Sequence, residues 1–362
     1  VIVLMINIMR PIIVIVFFLA FTNNVFSQSL IHPHIWTNPS ERQVVLNKIS
    51  ADTNNNWSGK LYNDLKVAID PLVNLHKINP SNYLANLPEL DKTKNTRSDH
   101  SKAIYDAAQA SFLYFLDQNN DYAQFAADIL SHYTIRISAI TGSLWFSKNG
   151  RWVECRDIYP KIGMTYDFIQ PFLTDPSTTV YNYTTGTRVP FDQEAAQSTF
   201  MKLADEVLLK GYTGSNHPVL EANGALFNLL CIENDSIRSI YFNDFINGTP
   251  NQDGLITILN TIKSNDYLWP ESASYSKETF EVVLHLLNVV DMYDPSLNLV
   301  NLHRSTLKGA FLYENLKYPN RNAMIRFGDS RRTKHKHMEN LYLRVLAIAH
   351  RKGLNTYKKL SI

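Results

Sequence analysis

Two cysteines in 362 residues leave no basis for a disulfide scaffold or a cysteine-rich zinc module. Cys155 and Cys231 can pair in an oxidising compartment or stand as two unrelated buried thiols, and their spacing favours neither. Thirteen glycines and 15 prolines exclude a collagen-like or linker-rich chain. No sign of charge dominates: 35 Lys and Arg oppose 33 Asp and Glu for a net +2. A dedicated nucleic-acid binder carries a strongly basic domain, so that class is excluded and any polyanion must be gripped locally. No G-x-S-x-G, P-loop or dinucleotide fingerprint occurs, which removes the main support for serine-hydrolase and nucleotide-dependent chemistry. What is present is 45% apolar and 12% aromatic residues, enough for a full core.

The first 27 residues stand apart. Arg10 is their only charge, followed by an apolar run from Pro11 to Phe21 and a polar TNNVFS. This is the layout of a secretory signal, with Val25 and Ser27 at the small-residue positions of a cleavage site. The run is short for a membrane span of about 20 residues. The expected organisation is a signal at 1–27 and a single domain at 28–362, secreted or periplasmic and off the membrane after cleavage.

Helical period dominates the remainder. Ser40, with Gln43 three residues on, reads as an N-cap before ERQVVLNKI, and Asp99 opens a stretch with Ile104, Ala108, Phe112 and Phe115 on one face. The same spacing recurs over 121–138, 156–170, 192–210, 218–232, 252–263, 280–290, 301–314 and 339–351, about ten helices by this pattern. Connections are short and rich in turn residues, which suits antiparallel neighbours. Thr174 to Pro190 is the longest irregular piece, readable as a β-excursion, a lid or a surface loop. Many paired helices in one unbroken domain indicate an all-α toroid or solenoid of helical hairpins, closed or open.

Two stretches carry chemistry. In GSNHPVLEANGALFNLLCIEN, from Gly214 to Asn234, Pro218 fits a first helical position. Asn216 and His217 then stand at a helix entrance, where unpaired N–H groups and the dipole favour an anion. They read either as a carboxylate-neutralising pair or as a plain cap and a surface histidine. In WPESASYSKETFEVVLHLL, from Trp269 to Leu287, a loop brings Glu271 and Tyr275 to the start of a strongly periodic helix, and a positioned tyrosine can give or take a proton. One tyrosine among 19 also has a packing role as its default.

Taken in order, HPHIWTNPSERQVVLNKI, RDIYPKIGMTYDF, the Asn216–His217 pair, WPESASYS and RFGDSR resemble the α/α-toroid polysaccharide lyases, the superfamily of alginate lyases, glucuronan lyases and heparinase II/III-like enzymes. The resemblance covers most of the chain after the leader. It implies an all-α toroid of six or seven helical pairs that cleaves a uronic-acid polymer by β-elimination, alginate ahead of glucuronan. It further implies that Asn216 neutralises the C5 carboxylate while His217 and Tyr275 serve as base and acid, in an order left open. Neutralisation matters because the C5 proton is only weakly acidic beside a free carboxylate, and the leaving O4 needs a proton. Arg156, Trp152, Glu221, Glu271 and Arg326 complete the expected substrate-binding set.

Two departures stand out. Some alginate lyases place an Arg shortly before the catalytic Tyr, where Leu268, Trp269 and Pro270 stand here, so Arg156 or Arg326 must supply the second neutralising charge. Only residues 331–362 follow RFGDSR, and they read as helix, so a C-terminal β-sheet domain is not expected within this chain. Arg321, Arg326, Arg331, Arg332, Lys334 and Lys336 form a basic cluster, either a polyanion rim or a solvated loop. Trp145, Trp152, Trp269 and Tyr159 can stack on sugars or fill the core. His32-x-His34 and His335-x-His337 each offer two metal ligands without the further neighbours of a zinc site, so no metal and no cofactor is expected. The expected partner is an anionic polysaccharide, and the oligomeric state is not legible. Two rivals remain: a glycoside hydrolase pairing Glu154 or Asp157 with Glu271 or Glu281, and a non-catalytic glycan-binding protein.

Overall fold

Thr96 starts the first long helix of the ring with a reciprocal capping box: its hydroxyl accepts from Asp99 N–H while the Asp99 carboxylate accepts from Thr96 N–H. The cap is thus three residues earlier than the Asp99 start read from the sequence. The computed structural model describes residues 30–51, 56–318, 325–326 and 338–355, so the leader expected at 1–27 lies outside the described residues. From His32 onward the chain clusters as one unit.

Its helices are α1 (Arg42–Ser50), α2 (Trp57–Ile78), α3 (Pro80–Ala85), α4 (Arg97–Asp117), α5 (Asn120–Ala139), α6 (Arg151–Asp157) and α7 (Tyr159–Leu173), followed by a hairpin of β1 (Thr179–Asn182) and β2 (Thr187–Pro190). Then come α8 (Gln193–Leu208), α9 (His217–Leu229), α10 (Asp235–Asn247), the two-residue strands β3 (Gly248–Thr249) and β4 (Gln252–Asp253), α11 (Leu255–Ser264), α12 (Ala273–Tyr293), α13 (Leu299–Leu302), α14 (Arg304–Leu312) and α15 (Met338–Arg351). The fold is all-α, with two antiparallel β-ribbons as its only sheets among the described residues.

The packing is that of an α/α toroid. An inner layer runs α4, α7, α9, α12, α15, each against the next, and an outer layer runs α5, α8, α10. α4 with α5 and α8 with α9 form the hairpins that join the layers. Tyr133 and Phe125 of α5, Tyr159, Tyr166 and Phe168 of α7, and Phe200 of α8 are fully buried between them. No helix among the described residues is long and apolar enough to cross a membrane.

The inner helices α4, α7, α9 and α12 begin at the same end of the ring. Arg97 Nε lies 3.2 Å from Asp157 Oδ2, tying the start of α4 to the α6–α7 junction. Asn216 and Glu271 join the starts of α9 and α12. Several helix N-termini, with their unpaired N–H groups and positive dipole ends, therefore face one cleft, an arrangement suited to an anionic chain.

Two glycines set how closely these helices meet. A Cβ at Gly224 would lie 2.3 Å from the Cys155 carbonyl oxygen, and one at Gly163 2.6 Å from that of Phe227. Neither neighbour is a side chain that can swing aside. Gly224→Ala is expected to force α6 and α9 apart and to destabilise the protein by at least ~2 kcal/mol, read as a lowered denaturation midpoint. Unchanged stability would mean that α6 yields freely.

Several expectations change. Asn38, not Ser40, is the cap: its Oδ1 accepts from Ser40 N–H at the head of a short 3-10 turn preceding α1. The single helix expected over 156–170 breaks at Ile158, because Pro160 cannot continue a hydrogen-bond ladder and instead opens α7. α2 was not anticipated, and the described helices number fifteen rather than about ten. The Thr174–Pro190 piece contains the β1–β2 hairpin, turned by Asn182 Oδ1 accepting from Thr184 and Thr185 N–H and by Gly186 at φ 68°. Cys155 and Cys231 are buried free thiols, so the disulfide alternative is not realised.

Candidate active site

Pro218 lies in the first turn of α9, as its missing N–H allows, so the chain enters the helix at Asn216 and His217. A plain capping asparagine would turn its carbonyl onto its own helix. The Asn216 side chain makes no capping bond; its Nδ2 donates to both oxygens of Glu271, at 3.0 and 2.9 Å. This contact forms one wall of a cavity of about 320 Å³ lined by Gly214, Ser215, Asn216, Trp269, Pro270 and Glu271. A larger cavity of about 710 Å³ between α3 and α4 contains none of these groups, and the chemistry decides between them.

His217 is partly exposed and held on its Nδ1 side. Arg156 Nη2 lies 3.3 Å from Nδ1, and buried Glu221 Oε1, one turn on, lies 3.6 Å from it. Arginine can only donate, so Nδ1 is the acceptor and the neutral ring carries its proton on Nε2. Burial, then the charges of Arg156 and Arg151, hold the imidazole below its ordinary value, which keeps it neutral at neutral pH. Burial pushes Glu221 up to about 7 against the pull of Arg151 and Arg156.

Two further residues complete the cluster without having been expected. Arg151 Nη1 is 3.9 Å from Glu221 and donates at 2.5 Å to the Glu206 carbonyl, while its guanidinium lies 5.4 Å from the centre of the Tyr212 ring. Tyr212 in turn packs on His217, ring centres 4.7 Å apart. The only local sign was the pair Arg151 and Arg156 on one short helix; Tyr212 sits in an irregular stretch and meets His217 through the fold.

Tyr275 is half-buried in the first turn of α12, four residues after Glu271. Glu278, three residues on and therefore on the same helix face, interacts electrostatically with Arg156. That face of α12 is thus turned toward the Arg156–His217 side of α9. Ile325 N–H donates to Leu316 O, 2.7 Å, in the turn where Tyr313 reaches Ser276 and Trp269. This sets exposed Arg326 near the Trp269 loop. Arg156 is a cation brought to His217.

The remaining expectations divide. Trp269 is 7% exposed and Tyr159 fully buried, so both belong mainly to the core. Trp145 is 44% exposed, has Lys92 Nζ 5.1 Å from its ring centre, and sits on a loop that Lys148 N–H ties to Asn95 O at the entrance to α4. It is a partly exposed aromatic ring at the cleft end, with Lys92 over it. The Trp152 side chain, Arg321, Arg331, Arg332, Lys334, Lys336 and the His335–His337 pair lie outside the described residues.

A ring of helical hairpins with an Asn–His–Arg cluster at the inner helix starts and a tyrosine beside it is the arrangement expected of the α/α-toroid polysaccharide lyases, and a family model and a relative support that resemblance. The family model described as the endo-acting ulvan lyase 2nd domain matches residues 265–361. An endo-acting ulvan lyase of Formosa agariphila is 33% identical over 359 residues, covering 95% of this chain. The alignment takes in 43% of that relative, so the chain spans less than half its length.

Proposed function

We propose that this chain cleaves ulvan internally by β-elimination, leaving unsaturated oligosaccharides. The 33% identical relative, an endo-acting ulvan lyase, puts ulvan in place of the alginate expected from the motifs. The observation that carries the chemistry is the Asn216 amide, turned from its own helix to hold a carboxylate. In the free protein that carboxylate is Glu271. A substrate uronate takes its place on the same N–H, and Glu271 swings aside to the cleft wall.

Asn216, His217 through Nε2–H, and Arg156 then face the charge that develops as the C5 proton leaves. With Nδ1 occupied by Arg156, His217 is a donor toward the cleft, and the base role falls to Tyr275, which can return the proton to the departing O4. Proton and electrons balance if Tyr275 enters as the phenolate: its oxygen takes the C5 proton and passes it to O4, while the C5–H pair becomes the C4–C5 double bond as the C4–O4 bond breaks.

The hydrolase rival loses its carboxylates. Glu154 is fully buried and accepts from Phe146 and Ser147 N–H; Asp157 pairs with Arg97 and Glu281 with Lys277. The deciding experiment is continuous absorbance near 235 nm with ulvan, alginate and glucuronan as substrates. A rise on ulvan is expected. Reducing ends appearing without absorbance would mean hydrolysis, and binding without either would mean a glycan-binding protein.

A further inference from the structure

About 20 Å from the Asn216 end of α9, judged from its 13 residues at 1.5 Å each, the helix exits beside a second polar cluster that the lyase reading does not use. We propose that His32, His34 and Asp167 bind a divalent transition metal ion, of which zinc is the fitting case, and that the ion fastens the His32–Ile35 segment to α7. The three residues offer ligand atoms that all lie within 4.8 Å of one another. His34 Nδ1 is 3.2 Å and His32 Nδ1 2.7 Å from Asp167 Oδ1. Tetrahedral ligands about 2.0–2.1 Å from zinc stand roughly 3.3 Å apart, so a small opening of the His32–Asp167 pair seats the ion.

The surroundings of each ligand match what such sites require. A metal-bound histidine donates its other ring N–H to a carbonyl or carboxylate, which fixes the tautomer. His34 Nε2 lies 3.1 Å from the Leu230 carbonyl oxygen, which makes Nε2 the protonated nitrogen and leaves the buried Nδ1 as a lone pair facing a carboxylate. Two acceptors at 3.2 Å repel unless a cation lies between them. His32 Nε2 is 3.4 Å from Glu233 Oε1, itself held by the Tyr166 hydroxyl at 2.8 Å. The Asp167 carboxylate is oriented by His34 and Ile35 N–H at 3.0–3.1 Å, keeping Oδ1 toward both imidazoles. Arg238 is paired with Asp235, and the His32 ring, with a carboxylate at each nitrogen, gives up its Nδ1 proton as the ion takes its place beside Asp167. Two histidines and one carboxylate suit zinc rather than calcium or magnesium, which prefer all-oxygen shells. The sequence could not show this, because Asp167 comes from 133 residues beyond His34.

The test is zinc titration of the chelator-stripped full chain by calorimetry, with cobalt(II) as a spectroscopic probe. One saturable equivalent is expected, with visible tetrahedral cobalt bands and a melting temperature that rises with added zinc. Both should be lost in His34→Ala and in Asp167→Asn, with circular dichroism showing that each still folds. Should a variant fail to fold, zinc-edge X-ray absorption of the wild type must count two imidazole ligands. Absence of a one-equivalent uptake, uptake undiminished in both variants, or a zinc shell without histidine would each overturn the proposal. Elimination activity is not needed for any of these readouts, so they stand or fall apart from the lyase reading.

Discussion

Tyr275→Phe is expected to lower kcat on ulvan by 10²–10⁴, about 2.7–5.4 kcal/mol of barrier, while leaving polymer affinity and melting temperature nearly unchanged. The substitution deletes one oxygen and keeps the ring, and the residue is half-buried in the first turn of α12, where a phenylalanine packs equally well. The loss should fall on kcat because the hydroxyl acts on the proton and not on the resting polymer. His217→Ala should cost about 10²–10³, the loss usual for one donor aimed at developing charge. The ordering of the two effects tests the assignment of roles: a histidine that outweighs the tyrosine would make His217 the base. Near-normal turnover of Tyr275→Phe would remove Tyr275 from the chemistry altogether.

Much of this site was legible locally, because the signals were local. Pro218, followed by a periodic apolar run, fits a first helical turn, and it placed Asn216 and His217 at the entrance to α9 without any tertiary information. The loop before α12 was equally plain, since WPESASY interrupts a periodic run. α2 escaped because Gly59 and Pro71 lie inside it and blur the pattern, although the fold tolerates both. The α6–α7 break was written in Pro160 but masked by apolar spacing that continues across it. Contacts between distant segments left no local trace. Arg151 comes close enough to act on His217 because Gly224 lets α6 lie close on α9, and the partner of the Asn216 amide stands 55 residues away. The hydroxyls and amides themselves are common; their convergence is a property of the ring.

Arg156 is where that convergence has its largest consequence after the tyrosine. Arg156→Ala should lower kcat/KM on ulvan by about 10²–10³, since it removes a cation beside His217 and the donor that holds Nδ1. Arg156→Lys keeps the charge without the planar fork and should recover only part of the loss. The histidine itself reports the change. In the wild type, burial and the charges of Arg156 and Arg151 keep its pKa below 6.5. Without Arg156 one of those charges is gone, and Nδ1–H is free to turn to Glu221, now 3.6 Å away, so the pKa must rise. Nitrogen-15 NMR of the histidines, with His217 assigned by its absence in His217→Ala, measures both the tautomer and the titration. A wild-type ring protonated on Nδ1, or a pKa that does not move in Arg156→Ala, would mean that Glu221 and not Arg156 orients the imidazole. The proton would then lie on the buried side, Nε2 would face the cleft as an acceptor, and His217 would be the base.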